Sequence, residues 1–215
     1  TITVDRSINA DDAFAMSGGL TFVSLPTGSA TYQTQATGIA TWVTATMVSS
    51  SAWQAICYGN NLVVAVSSTS GTIAASSPAG ASATWTLRTM PATASWYSVK
   101  YGLNMFVSTA GGATTEAAYS PDGAKWTPSS LPVSGDWRAL EFGNNRFIAI
   151  SYGSTDTAIS TNGTSWTAGG ALPASRNWTD IVYGENTFVA IATGSDKGAY
   201  STDNGATWQE MTMPS

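Results

Sequence analysis

The chain has 215 residues, a formal net charge of −5 and only 10% charged residues. Eight lysines and arginines in an acidic chain disfavour binding to phosphate backbones or anionic membranes, so we expect no nucleic-acid partner and no membrane insertion. The chain contains no histidine, the commonest metal ligand and general base. Its single cysteine, Cys57, excludes an intrachain disulfide. We expect no metal and no cofactor, and Cys57 is predicted to be a small buried hydrophobe rather than a nucleophile.

Regularly spaced tryptophans indicate internal repeats. Intervals of 43, 41 and 41 residues separate Trp53, Trp96, Trp137 and Trp178. Each is followed five residues later by an aromatic residue and a glycine, as in Tyr58-Gly59, and then by an apolar run. Two apolar segments joined by so short a polar turn predict an antiparallel β-hairpin.

A second pair of strands follows in each repeat. A stretch rich in Gly, Ser and Thr leads to a short strand, a tight turn and a tryptophan that opens the fourth strand, as in residues 118–126. A fainter first copy begins near Asp12, with Gly18-Gly19 in place of the aromatic-glycine step. It keeps the phase of the others because Phe22 precedes Val63 by 41 residues. We therefore count five repeats of four strands.

A period of 40 to 45 residues with four short strands per unit predicts an all-β fold, a five-bladed β-propeller of four-stranded antiparallel blades. The predicted blades span about residues 11–49, 50–92, 93–133, 134–174 and 175–215. Residues 1–10 are predicted to form an N-terminal arm that closes the ring or contacts another subunit. The first twenty residues carry no apolar leader, so we expect a soluble chain that is not secreted.

The turn before the fourth strand resembles the Asp-box, or BNR repeat, of sialidase-type propellers, Ser-x-Asp-x-Gly-x-x-Trp. The matching residues are Ser120, Asp122, Gly123 and Trp126; Ser160, Asn162, Gly163 and Trp166; and Ser201, Asp203, Gly205 and Trp208. The first two copies are one residue shorter than the pattern. Glycine supplies a positive φ, Asp or Asn caps the turn, and Trp packs between blades. We expect structural roles rather than calcium ligation, catalysis or sugar stacking.

The resemblance does not extend to the sialidase active site. That family implies an arginine triad, a tyrosine nucleophile with a glutamate partner, and an acid–base aspartate on six blades. The five arginines of this chain lie outside the family's FRIP-type motif, and only five repeats are recognisable. We therefore predict that the chain is not an enzyme.

Loops opposite the Asp-box turns are the first candidate for a binding site, because rigid scaffolds usually place function on variable loops. We call this side of the molecule the loop face. Its predicted segments include the loop over residues 108–116 and the link after Pro91, at residues 92–95. The residues predicted to gather there, the rim residues, are Glu116, Asp136, Tyr152, Asp156, Arg176 and Lys197. The alternative is a solvated rim without function.

The innermost strands carry a second group, the channel cluster, formed by Lys100, Arg138, Glu141 and Asp180. Lys100 and Glu141 hold the same position in neighbouring repeats, so they are predicted either to pair between blades or to line the channel. A carboxylate beside a lysine also resembles acid–base machinery.

A charge-poor β chain rich in Thr, Ser, Ala and Gly resembles virion proteins. We expect a non-enzymatic structural or receptor-binding module of a bacteriophage particle, in a tail fibre, tail tip or capsid decoration. It is made in the host cytoplasm and located in the virion, or is otherwise extracellular. Expected partners are other virion proteins, copies of itself, and a host-surface glycan or protein. The alternatives are a glycan-active hydrolase or lectin domain of an Asp-box enzyme and a pure assembly scaffold.

Overall fold

The computed structural model describes residues 23–24, 31–35, 42–79 and 84–214. These residues form β-strands and turns, and none of them belongs to a helix long and apolar enough to cross a membrane. The predicted arm at residues 1–10 lies outside the described residues. The described strands form four antiparallel sheets.

The first sheet has three strands and the second has seven, whereas the last two sheets have four strands each. The first sheet contains β1 (Val23–Ser24), β2 (Thr31–Gln35) and β3 (Trp42–Thr46). The second contains β4 (Trp53–Gly59), β5 (Leu62–Ser67), β6 (Gly71–Pro78), β7 (Thr86–Gly102), β8 (Met105–Gly111), β9 (Thr114–Ser120) and β10 (Thr127–Gly135). The third contains β11 (Ala139–Gly143), β12 (Arg146–Ile150), β13 (Thr157–Ser160) and β14 (Thr167–Ala168). The fourth contains β15 (Trp178–Gly184), β16 (Thr187–Ala192), β17 (Lys197–Ser201) and β18 (Gln209–Thr212).

Strand β7 joins two four-stranded units into the seven-stranded sheet. Its first half pairs with β6 and its second half, from Ser95, pairs with β8. The sequence predicted a link after Pro91, but the chain stays extended through it. The pairing between β6 and β7 shifts register between Gly71 and Ile73, opposite this part of β7. In such an irregular segment not every backbone N–H has to donate to the neighbouring strand, so proline is tolerated.

Two-residue turns close the predicted hairpins. The first and second strands of four successive units meet at Asn60-Asn61, Leu103-Asn104, Asn144-Asn145 and Glu185-Asn186, all with φ between 44° and 60°. Paired positive φ values are those of the type I′ turn, whose twist matches that of the strands it joins. The hairpin predictions are confirmed. The loop predicted over residues 108–116 is shorter than expected, since only Gly112 and Ala113 separate β8 from β9.

Apolar clusters fill the spaces between successive units. The innermost strands β4, β7, β11 and β15 contact one another in that order. The clusters combine one unit with the next, so that Ile148 of β12 packs with Phe188 of β16, and Val107 of β8 packs with Phe147 of β12. Three tryptophans are fully buried: Trp96 within β7, Trp137 just before β11 and Trp178 at the start of β15. Each such aromatic side chain contributes about 1.5–3 kcal/mol through burial.

An aromatic ring of each unit lies on a glycine of the preceding unit. A Cβ added at these glycines would overlap the ring, for Gly59 with Tyr101, Gly102 with Phe142 and Gly143 with Tyr183. Each ring also packs on a phenylalanine of its own hairpin, at centroid distances of 4.6–4.8 Å. None of the three glycines has a positive φ, so the ring contact, and not backbone conformation, requires glycine here.

The three turns before the fourth strands share one hydrogen-bond pattern. Asp122 Oδ1 accepts the N–H groups of Ala124 and Lys125 at 2.9 and 2.8 Å. Asn162 Oδ1 accepts two amides at 2.9 Å, and Asp203 Oδ1 accepts the Thr207 amide at 2.9 Å. A hydroxyl two residues earlier donates to the same carbonyl or carboxylate oxygen in each turn, at 2.8–3.2 Å. The backbone hydrogen bonds to Asp122 lower the pKa of its carboxyl group.

These turns also tie neighbouring units together at their outer edges. Thr89 of β7 forms a bridge with Lys125. The Ser129 hydroxyl donates to the Thr164 carbonyl at 2.8 Å, and the Gly170 N–H donates to the Gly205 carbonyl at 2.8 Å. Each unit is therefore fixed to the next both at its inner strand and at its outer edge.

Replacement of Gly102 by alanine tests the ring contact. The added Cβ would displace Phe142 in a fully packed interface, so we expect a loss of about 1–3 kcal/mol in the free energy of unfolding, measured by urea titration. Gly184→Ala is the matched control, since Gly184 ends the equivalent strand and a Cβ added there would have no described atom within 4 Å. Equal losses for the two variants would contradict the assignment.

Acid titration tests the third turn. The hydrogen bonds from the Thr207 hydroxyl and amide, and that from the Ser201 hydroxyl, lower the pKa of Asp203 from 3.8 to about 2. A depressed folded-state pKa stabilises the protein above pH 3.8, and this contribution is lost as the pH falls towards 2. Asp203→Asn should therefore unfold at a lower temperature than wild type at pH 7, with the difference vanishing near pH 2. Asp196→Asn, on an exposed loop, controls for loss of one charge, and parallel curves for all three proteins would refute the role.

Candidate functional site

The inner strands of four units surround a cavity of about 240 Å³, the central cavity. Equivalent positions of β4, β7, β11 and β15 line it, because every inner strand directs one edge towards the common axis. Its polar lining consists of Gln54, Tyr97, Ser98, Lys100, Arg138, Glu141, Thr179 and Asp180. The structure thus brings the whole channel cluster to one cavity.

Lys100 and Glu141 form an ion pair inside the central cavity. Lys100 Nζ lies 2.8 Å from Glu141 Oε2, and the two side chains are 37% and 16% exposed. Burial by itself lowers the pKa of Lys100, but the charge of Glu141, its hydrogen bond and the charge of Asp180 together raise that pKa above its usual value. Lys100 is therefore a permanent cation at neutral pH and not a general base.

Each of the two carboxylates also accepts a hydrogen bond from a backbone amide. Glu141 Oε1 accepts the Phe142 N–H at 3.1 Å, and Asp180 Oδ1 accepts the Ile181 N–H at 2.8 Å. Both carboxylates bond the amide of the residue that follows them, which fixes their orientation on the strand edge. Two carboxylates and one ammonium thus share the inner end of the central cavity.

Arg138 lies at the mouth of the central cavity, on the loop face, and its side chain is held by one carboxylate and two aromatic rings. Its Nε and Nη2 donate to Asp136 Oδ2 at 2.9 and 2.8 Å. Its guanidinium carbon lies 4.9 Å from the ring centroid of Tyr97 and 4.0 Å from that of Tyr152. The hydrogen bond that Arg138 donates to Asp136 raises the pKa of Arg138. Asp136 Oδ1 also accepts the Gly112 N–H at 2.9 Å, so the pair is anchored to the neighbouring unit.

Two of the six rim residues, Asp136 and Tyr152, join this arrangement, whereas the other four make local contacts. Asp156 accepts the Ser154 hydroxyl at 2.6 Å, and Arg176 pairs with Glu210 at 2.8 Å. Lys197 donates to the Thr212 hydroxyl at 2.8 Å. Glu116 lies within β9, opposite Ser130, and not on a loop.

The site residues predicted from the sequence did not include Tyr97. Its ring contacts Arg138 of the next unit. A signal existed, since Tyr97 follows Trp96 as Arg138 follows Trp137, at equivalent positions of adjacent inner strands. Other conspicuous residues lie away from the cavity. Trp126, Trp166 and Trp208 are buried between units. Burial raises the pKa of the Cys57 thiol, which keeps it protonated.

No protein-family model matches the chain. No curated protein matches its sequence either. Its fold does match solved structures. Selenomethionine-substituted virginiamycin B lyase from Staphylococcus aureus superposes with a TM-score of 0.82 at 13% identity, over 94% of this chain and 69% of the lyase. The catalytically inactive histidine-to-alanine lyase variant with quinupristin gives 0.81 at 11% identity, over 97% and 73%.

A further match is YCF48 bound to D1 peptide, with a TM-score of 0.65 at 17% identity, over 90% of this chain and 64% of YCF48. The chain therefore spans just under two thirds of that protein. Such low identities show a shared fold and nothing more. The prediction of an all-β, propeller-type fold is confirmed.

The prediction that the chain is not an enzyme is overturned. It was drawn from the lack of a recognisable motif, yet the fold that matches 94–97% of this chain is that of an enzyme, virginiamycin B lyase. One propeller scaffold can carry unrelated chemistries, so the missing sialidase residues do not exclude catalysis.

A double-mutant cycle tests the ion pair in the central cavity. Lys100→Gln, Glu141→Gln and the double variant should give a coupling free energy of about 1 kcal/mol in urea unfolding, because the pair is only partly screened by solvent. The same cycle on Lys197 and Asp196 should give a smaller coupling, because these groups are 3.3 Å apart and the carboxylate is 66% exposed. Equal couplings would show that the cavity pair is as screened as a surface pair.

Proposed function

We propose that this chain is a receptor-binding module of a bacteriophage particle, which binds a host-surface glycan or protein at its central cavity. In this proposal the chain is a five-bladed propeller with Asp-box turns. The observation that carries it is the central cavity itself, where inner strands packed on apolar side chains direct charged and polar groups to one point. Concave sites with a few converging polar groups are the usual form of ligand sites.

The turns support the Asp-box assignment. In all three copies, the Asp or Asn side chain accepts backbone amides of its own turn while the tryptophan is buried against the preceding unit. In each of the three contacts between the outer edges of neighbouring units, one partner belongs to such a turn. These partners are Lys125, Thr164 and Gly205. Five blades follow from five repeats in the sequence, of which the last four have all four strands described.

The mouth of the cavity supports recognition of a polar ligand. The Tyr97–Arg138–Tyr152 stack holds a guanidinium in a fixed plane, and Asp136 balances its charge. Prearranged donors of this kind lower the cost of ordering side chains on binding. Structures of the same fold hold a peptide, in YCF48, and quinupristin, in the lyase variant, so the architecture can accommodate ligands of that size.

Location in a virion rests on composition. Few charges, no disulfide and abundant Thr, Ser, Ala and Gly are typical of particle proteins released by lysis. Other virion proteins or copies of this chain are the proposed structural partners.

A binding screen on glycan and peptide arrays tests the proposal. Wild type should bind a discrete set of probes, and Arg138→Gln should reduce the signal at least tenfold, because it removes a charged donor at the cavity mouth. Arg146→Gln is the matched control, since Arg146 lies at the opposite end of its hairpin, beside the Asn144-Asn145 turn. Arrays without any specific signal, or equal losses for both variants, would refute binding at the cavity.

A lyase or hydrolase is the second candidate, and one observation favours it. Glu141 and Asp180 flank a permanently charged lysine in the central cavity, an arrangement suited to acid–base work. The inactive lyase variant lacks a histidine, and this chain has none, so any reaction here would depend on those carboxylates. A mass change in an array ligand after incubation, abolished in Glu141→Gln while binding persists, would assign catalysis.

A further inference from the structure

We propose that the ligand of the central cavity is a neutral carbohydrate, and that two adjacent hydroxyl groups of one sugar ring bridge the ion pair of Arg138 and Asp136 at the cavity mouth. This inference rests on the proposed function, because it concerns the same cavity. It adds the chemical class of the ligand and the two residues that would select it.

The guanidinium of Arg138 keeps donors that no described residue uses. Its Nε and Nη2 donate to one oxygen of Asp136, whereas Nη1 has no acceptor among the described residues. The rings of Tyr97 and Tyr152 lie over the guanidinium, so a ligand reaches these donors at the edge of its plane. The Arg138 side chain is 34% exposed and lines the cavity, which leaves that edge open to a ligand.

Asp136 places an acceptor beside these donors. Its Oδ1 accepts one hydrogen bond, from the Gly112 N–H at 2.9 Å, and a carboxylate oxygen can accept two. The Asp136 side chain is partly exposed. The mouth of the cavity therefore presents donors and an acceptor side by side, on an ion pair without net charge.

Sugar hydroxyls suit this ion pair because each of them can both donate and accept. One hydroxyl can accept a hydrogen bond from Arg138 Nη1 while its neighbour on the ring donates to Asp136 Oδ1. A ligand carboxylate could only accept, and Asp136 would repel its charge. A ligand ammonium could only donate, and Arg138 would repel it. The pair thus favours a neutral ligand that carries both kinds of group.

The rest of the lining favours a sugar over a peptide. The side chains of Gln54, Ser98 and Thr179 line the cavity and make no hydrogen bond to another described residue, so they can bind further hydroxyls. Four of the seven described apolar lining residues are at most 3% exposed: Val99, Ala139, Leu140 and Ile181. These four offer little side-chain surface, so the cavity has few of the apolar pockets and anchors on which peptide binding depends.

An array of neutral glycans, acidic glycans and peptides tests the class of ligand. We expect the specific signals of wild type to come from neutral glycans. Periodate cleaves the carbon–carbon bond between adjacent hydroxyls, so treatment of the array with periodate and then borohydride should abolish those signals, whereas borohydride alone should not. Signals confined to charged glycans or peptides, or signals that survive periodate, overturn the inference.

Asp136→Asn distinguishes a neutral from an anionic ligand by the sign of its effect. In calorimetric titration with the array glycan of strongest signal, we expect this variant to bind about tenfold more weakly, because the hydroxyl loses a charged acceptor. An anionic ligand would bind the variant more tightly, since a repulsive charge is removed. Asp196→Asn, with a carboxylate that is 66% exposed, is the matched control and should leave the affinity unchanged. Equal or tighter binding by Asp136→Asn overturns the inference.

Salt dependence of wild-type binding decides the matter if Asp136→Asn does not fold. The affinity for a neutral glycan should change less than about twofold as NaCl rises to about 0.5 M, because no net charge is screened. A larger loss of affinity with salt overturns the inference.

Failure of this inference can be told apart from failure of the proposed function. Array signals from peptides or acidic glycans that Arg138→Gln abolishes would refute a neutral carbohydrate and leave binding at the cavity intact. Arrays without any specific signal would refute the proposed function and this inference with it.

Discussion

The structure depends on the interlock between glycine and aromatic ring that joins successive inner strands. A ring from one unit occupies the space that a side chain would fill on the last residue of the previous inner strand, as Phe142 does on Gly102. The same ring packs on its own hairpin phenylalanine, so one side chain fixes both the hairpin and the angle to its neighbour. Because the contact recurs at three interfaces, the inner strands converge on one axis, and the central cavity is a result of that convergence.

The cavity can be polar because burial is supplied elsewhere. Trp96, Trp137 and Trp178 each lie in an apolar cluster that also contains the phenylalanine of the neighbouring strand. With so much apolar area removed from water, four charged side chains are accommodated on the strand edges without loss of the fold. Two ion pairs lie at two depths, Asp136 with Arg138 at the mouth and Lys100 with Glu141 further in, where Asp180 is also present. The charged groups and the apolar core thus occupy different parts of the same strands.

Much of the fold could be predicted from the sequence, because contacts that recur in every unit require similar residues at regular intervals. The hairpins and the equivalence of Lys100 and Glu141 both follow from spacing. Features set by a single local event could not be predicted. The strand continues through Pro91 because of a register shift, and a two-residue turn at Gly112 shortens an expected loop. Arg176 forms an ion pair with Glu210 and does not join Asp136 and Tyr152. The repeat pattern does not predict this side-chain contact. The assignment as a non-enzyme failed for another reason, because a missing motif carries little weight on a scaffold with many chemistries.

Strand β7 has a consequence for how the molecule opens. At the other junctions that the structure describes, the outer strand of one unit and the inner strand of the next are two distinct strands joined by a connecting segment. Adjoining units can therefore separate at that segment. Here one uninterrupted backbone serves as the outer strand of one unit and the inner strand of the next. Amide exchange through sub-global unfolding will therefore treat β4–β10 as a single cooperative block, with the two four-stranded sheets as separate blocks beside it. The units therefore differ in how cooperatively they unfold, although their sequence repeats have nearly the same spacing.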